Sequence, residues 1–231
     1  MKNTLFAMLV AGALAGCSSS DPQPNLDQFS DYTGGQTIGD STSLYWYTER
    51  TTFPYSAGDY VSAGDYGWYQ TDYRWSQGEL RELIRQGEQL RENQELVPYR
   101  IHVRFDKGGE AIYQQYRVNG KVLPLKSDKL EWLKQEARNI PQITKVQTSD
   151  GLRLIQGYWD GSSFDTCSGR NYQRVEFNET LPSFVVNRLS TIDSYVAFIG
   201  STRSGKITVN ELLMLADDSQ DCIERPSFIE E

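Results

Sequence analysis

Histidine and cysteine are scarce in this 231-residue chain, with one and three copies respectively. A lone histidine, His102, cannot build a His-rich metal site. It could serve a serine hydrolase, but no Gly-x-Ser-x-Gly elbow is present. In "RIHVRF" its parity is opposite to Ile101, Val103 and Phe105, so it shares the more exposed strand face with Arg100 and Arg104. There is no Cys-x-x-Cys pair of the redox kind. Basic residues number 23 against 31 acids, giving a net charge of −8. That balance argues against nucleic acid and against adhesion to anionic headgroups. "GSTRSGKIT" (200–208) has Gly200, Gly205 and Lys206 at phosphate-loop spacing, but Ile207 replaces the magnesium-binding hydroxyl. The following residues read as a strand, not the helix that such a loop needs. No nucleotide, cofactor or metal is therefore expected. Long apolar runs are missing too, except one near the start that is too short to span a bilayer comfortably.

That run, Leu5 to Ala15, follows Lys2 and ends in Leu14-Ala15-Gly16-Cys17. It has the charge and length of a signal-peptide core. The Leu-Ala-Gly-Cys ending resembles the lipobox of bacterial lipoproteins. The resemblance implies cleavage before Cys17, acylation of Cys17 (palmitate included) and anchoring without a spanning helix. Ser18 follows, with no Asp there. By similarity to Gram-negative lipoproteins, that implies an outer-membrane protein facing the periplasm. Losing residues 1–16 removes one lysine and no acid, so the mature charge becomes −9. Residues 17–40 are rich in Ser, Asp, Pro and Gly, and are expected to form a flexible tether reaching roughly 25–30 Å.

With Cys17 acylated, Cys167 and Cys222 are left as an even pair in an oxidising compartment. They are expected to form a structural disulfide, with redox and metal roles as the alternatives.

Residues 41–125 read as an antiparallel β-meander. "YRIHVRF" alternates, "DKGG" and "NGK" are turns, and "ELRELIRQGEQL" (79–90) is taken as a strand because the meander then continues unbroken. Residues 126–141 form a linking helix, with Asp128 and Glu131 at capping-box spacing and Pro141 as its stop. Residues 142–231 give three strands, a helix over 180–192 capped by Thr180, and a hairpin, the element order of an OB-type five-stranded barrel. The expected class is thus mainly β, with minor α. "AGDY" occurs at 57–60 and again at 63–66, and is read as a turn followed by a strand start.

Ten of the 19 Tyr and Trp residues lie between Tyr45 and Trp75. Tyr45, Trp46, Tyr47, Trp68, Tyr69, Tyr73 and Trp75 form a candidate aromatic binding face, since rings stack on sugars or peptides at low entropic cost. The alternative is that aromatics simply suit strands and fill the core.

"DYRWSQGEL", "VRFDKGG", "GYWDGSSFDTCSG" and the late cysteine, with the lipobox, resemble a family of uncharacterised Gram-negative bacterial lipoproteins built on a domain of unknown function. The likeness brings no functional residues with it. Three function classes follow. One is a non-enzymatic envelope module that binds partner proteins. The second binds glycan or peptidoglycan through the aromatic-rich sheet. The third is an enzyme with a carboxylate site.

Overall fold

The structure, a computed structural model, describes residues 28–91, 95–178 and 180–230. Eight strands form one antiparallel meander in chain order: β1 (Phe29–Ile38), β2 (Ser41–Arg50), β3 (Phe53–Ser62), β4 (Gly67–Ser76), β5 (Glu79–Leu90), β6 (Leu96–Phe105), β7 (Ala111–Val118) and β8 (Lys121–Leu123). Two-residue turns set the register. Asn119 and Gly120 both have positive φ (47° and 77°), the geometry that suits the twist of flanking strands. Strand alternation then sends Val97, Tyr99, Ile101, Val103 and Phe105 to one face. Helix α1 (Ser127–Ser149) covers that face with Leu133, Ala137 and Ile140. Each buried valine, leucine, isoleucine or phenylalanine of this kind contributes about 1.5–3 kcal/mol over exposure.

The second unit comprises β9 (Arg153–Trp159), β10 (Phe164–Thr166), β11 (Asn171–Tyr172), β12 (Arg174–Phe177), helix α2 (Ser183–Thr191), β13 (Ser194–Arg203) and β14 (Lys206–Asp217). Its sheet runs β11-β10-β9-β13-β14-β12, with β12 parallel to β14 and the other pairs antiparallel. The terminal strands β11 and β12 are neighbours in sequence, so the sheet curls nearly closed and barrel-like. Register shifts in β13 at Ala197/Phe198 and Ile199/Gly200 supply local bending. Phe164, Phe198, Ile207 and Val209 fill the interior with Val185 and Leu189 of α2. A third apolar cluster joins the units: Leu44 of β2 packs with Leu154, Tyr195, Ile199, Leu213 and Ile223.

Several expectations need correction. Cys17 and the signal segment lie outside the described residues. The expected tether 17–40 does not run to residue 40, because 29–38 are β1. Its polar, glycine-rich sequence hid a strand that is held by its neighbours. All ten residues pair with β2, and Gln147 of α1 bonds both backbone groups of Gly35, at 2.7 and 3.1 Å. Pro141 does not stop α1, which continues eight residues further. Proline removes one helical donor, but beyond it Ile143 packs on the core and Thr144 is fully buried. Neither expected cap sits at an N-cap position: Lys126 and Pro182 do, without side-chain capping, while Asp128 Oδ1 accepts from the amide of Lys129 at 2.8 Å within the first turn. The first "AGDY" lies inside β3 and the second runs into a 3-10 turn at Gly64–Tyr66. The third barrel strand is split into β11 and β12, making six strands where five were expected. The unit boundary at 142 also shifts, since α1 runs to 149 and the C-terminal segment returns to the large sheet. Residues 79–90 are a strand, as expected, and 200–208 form a hairpin.

Candidate functional site

The large sheet has an inner face under α1 and an outer face. Of the seven aromatics expected on one face, five point inward. Tyr45, Tyr47, Tyr73 and Trp75 are buried in the core, and Tyr69 packs against it. They are structural, as period-two alternation requires once α1 covers their side. Trp46 and Trp68 point outward. Trp46 packs against the cluster between the units. The seven candidates therefore do not make one display face, and five of them follow the alternative reading, in which strand aromatics fill the core.

Around Trp68 the structure builds something else. Tyr60 on β3 and Trp68 on β4 are diagonal cross-strand neighbours. Their rings lie 6.3 Å apart and near-parallel, at 23°. Trp68 Nε1 donates to Glu88 Oε2 at 3.1 Å, which fixes the indole plane. Both rings are half-buried. They form one wall of a groove of about 960 Å³, with Tyr158 from the second unit and residues 220–228 opposite. Gln70 and Gln220 add amides to the lining, and Asp221 and Glu224 add carboxylates on the side of the C-terminal segment.

The facing wall is a strap, residues 222–229, without regular structure. Cys222 is bonded to Cys167, as expected from the cysteine count. The Gln156 side chain pairs with Ile223 in both directions, each at 3.1 Å. Arg225 donates to Thr48 Oγ1 at 2.8 Å and Ser56 Oγ at 2.7 Å. Asp72 Oδ2 accepts from the amides of Phe228 and Ile229, at 2.8 and 2.9 Å. Gly58 makes room for the strap, because a Cβ there would sit 2.8 Å from Pro226. A second cavity of about 500 Å³ lies beyond, lined by Phe29, Tyr55, Arg74 and Ser227 among others.

An ionic cluster lies beneath α1. Arg85 is 1% exposed and Asp59 is 1% exposed. Arg85 Nε donates to Thr71 Oγ1 at 2.8 Å, and Nη2 donates to Tyr73 Oη at 3.1 Å and to Glu136 Oε2 at 2.8 Å. Its guanidinium lies 3.8 Å from the Tyr69 ring centroid and 4.9 Å from that of Trp132. Tyr69 and Tyr73 donate to Glu136 and Asp59 at 2.7 and 2.8 Å. Arg85 Nη1 and Asp59 Oδ1 have no partner among the described residues. Burial pushes the Asp59 carboxyl up to about 7, opposed by the nearby Arg85 charge. A substrate cannot reach this cluster unless α1 moves, so it reads as a core feature. Parity was the available signal, since Arg85 shares the inward phase of Leu83.

His102 lies on the outer face beside Arg100 and Arg104, its Nε2 2.6 Å from Glu82 Oε1 and its ring edge-on to Tyr113. Among the described residues, no group of three His, Cys, Asp or Glu side chains could hold a metal ion, and no helix is long and apolar enough to cross a membrane. Tyr60 was counted in the aromatic run but not singled out, and Tyr158 sits in the distant "GYWDG" stretch. Neither had a local mark, since the groove arises only when the units pack.

Fold and groove together define a two-unit, mainly β protein with an aromatic-walled surface groove. The chain belongs to the family described as "Protein of unknown function (DUF1481)", whose profile matches residues 33–227. No curated protein and no solved structure matches the chain.

Proposed function

We propose that this chain is a non-enzymatic binding module of the bacterial envelope, and that its groove takes a glycan. The carrying observation is the near-parallel Tyr60–Trp68 pair, held in plane by Glu88 and faced by Tyr158. Flat, half-buried rings beside amide side chains suit the apolar faces and hydroxyl rims of sugars. Peptidoglycan strands are the envelope polymer of that chemistry. A partner protein is the second reading, favoured by the exposed apolar side chains of α2, Phe184 and Val186. A carboxylate enzyme has less support, because the buried acids Asp59 and Asp72 are engaged by Tyr73 and by the strap.

The Leu-Ala-Gly-Cys run supports lipidation at Cys17, in the outer membrane and facing the periplasm. Eleven residues separate Cys17 from Phe29, so the first strand would lie at most about 43 Å from the anchor. The second unit fits an OB-type barrel. Strand order β10-β9-β13-β14-β12, the parallel β12–β14 pair and the helix before β13 all support it.

Tryptophan fluorescence titration with soluble peptidoglycan glycan strands and with a neutral β-linked glucose hexamer tests the groove. Trp68→Ala, followed by calorimetry, and Tyr60→Ala are each expected to weaken binding about tenfold, the loss of roughly one stacking contact. Unchanged affinity in both folded variants would rule the groove out.

A further inference from the structure

The ring pair does not end the groove. Trp68 also lines a shallower depression of about 400 Å³ on the outer face of β5–β7, together with Pro98, Arg100 and Arg117. Trp68 thus stands between the aromatic groove and this basic end. From β3 to β7 is four strand spacings, roughly 19 Å. That span suits a short chain of sugars and exceeds a single ring.

Arg100 and Arg117 face each other directly across the β6–β7 ladder. Like charges in that position destabilise a sheet. Arg100 bonds only the neutral amide of Gln86, at 3.0 Å. Among the described residues neither arginine has a carboxylate partner within ion-pair distance. Glu88 shares the depression, but its Oε2 is engaged by the Trp68 indole. The basic end therefore keeps a net positive charge on a chain whose overall charge is −8. Two arginines presented side by side, without a carboxylate partner among the described residues, suit carboxylates.

We propose that the groove selects an acidic linear glycan, its sugar faces on Tyr60 and Trp68 and its carboxylates at Arg100 and Arg117. This rests on the glycan reading above and adds the ligand's charge and direction. Recognition then has two separable parts. Stacking at Trp68 is indifferent to charge, while the arginine pair is electrostatic and weakens with salt.

The experiment uses the full mature chain, the neutral glucose hexamer, a uronate hexamer of similar length and a single-stranded DNA oligomer of equal charge. The uronate chain is expected to bind at least tenfold more tightly than the neutral one at low salt. That advantage should shrink at 0.5 M salt and vanish in Arg100→Gln/Arg117→Gln, with neutral-chain affinity unchanged. An acidic chain that binds no better than the neutral one overturns the proposal, as does an advantage that survives in the double variant. In either case Trp68-dependent binding of the neutral chain would leave the glycan reading standing. If neither sugar chain binds, both readings fall. Arginine-dependent binding of the DNA oligomer tighter than the uronate chain would overturn the assignment to a glycan.

Discussion

Asp59 and Arg85 sit 3.8 Å apart in a space otherwise filled by tyrosines and aliphatic side chains. Burial raises the Asp59 carboxyl from its ordinary 3.8 to about 7. Between those values the native state holds a proton that the unfolded chain has released. Stability contributed by Asp59 is therefore present at the acid end and falls as pH rises through that window. Asp59→Asn is expected to remove that slope, which can reach at most about 1.4 kcal/mol per pH unit. Urea denaturation of both proteins from pH 4 to pH 8 checks it. Other carboxylates are common to the pair and cancel in the difference, including Asp72, raised by burial, and Glu49, lowered by its bonds to Lys145, Tyr32 and Tyr47. Parallel curves would show that Asp59 ionises normally. At this scale the sequence was legible for the cysteines, because counting suffices once one is set aside. For Arg85 strand parity pointed inward, but charge on a strand reads as solvent-facing, and it is the partners on β3, β4 and α1 that make burial tolerable.

Helix α1 and strand β1 show how elements depend on one another. The first half of α1 has its own apolar stripe and was visible as a helix. The second half is sustained by the sheet, through Ile143, Thr144 and the two bonds from Gln147 to Gly35. The same two bonds help fix β1, whose residues carry little hydrophobic pattern. Gln147→Ala should cost about 1–3 kcal/mol, the range for two bonds to backbone groups left without their partner. Amide exchange is expected to accelerate first in β1. Exchange that stays uniform across the sheet would argue that the ladder to β2 alone holds the edge. The β-hairpins from β4 to β7 needed no such support. Their alternation and turn residues carry the information locally, which is why that stretch was readable.

For the whole molecule, the strap links the two units. Cys167 and Cys222 are 55 residues apart, and a bridge closing that loop is worth about 4 kcal/mol in the chain-entropy description. In protein made in the periplasm neither cysteine should label with a thiol reagent. Cys167→Ala/Cys222→Ala is expected to lose stability of that order and to weaken glycan binding, because the freed strap forms the wall facing Trp68. Stoichiometric labelling of the parent protein would show that the bridge does not form, and full binding by the double variant would show the strap to be independent of it. The groove itself could not be read from the sequence. Its walls come from β3, β4, β9 and the C-terminal strap, and no local pattern announces that they will meet. The strand order of the second unit was foreseen only as an element order, since pairing between β12 and β14 depends on closure.

Phe29 at the start of β1 and Ser227 in the strap line the same small cavity. The described chain therefore begins and ends at one place, and its path is close to a loop that has been cut there. Anything fused to the carboxyl end, whether a reporter, a purification handle or a surface-display cargo, will stand beside the start of β1, where Phe29 lines the cavity.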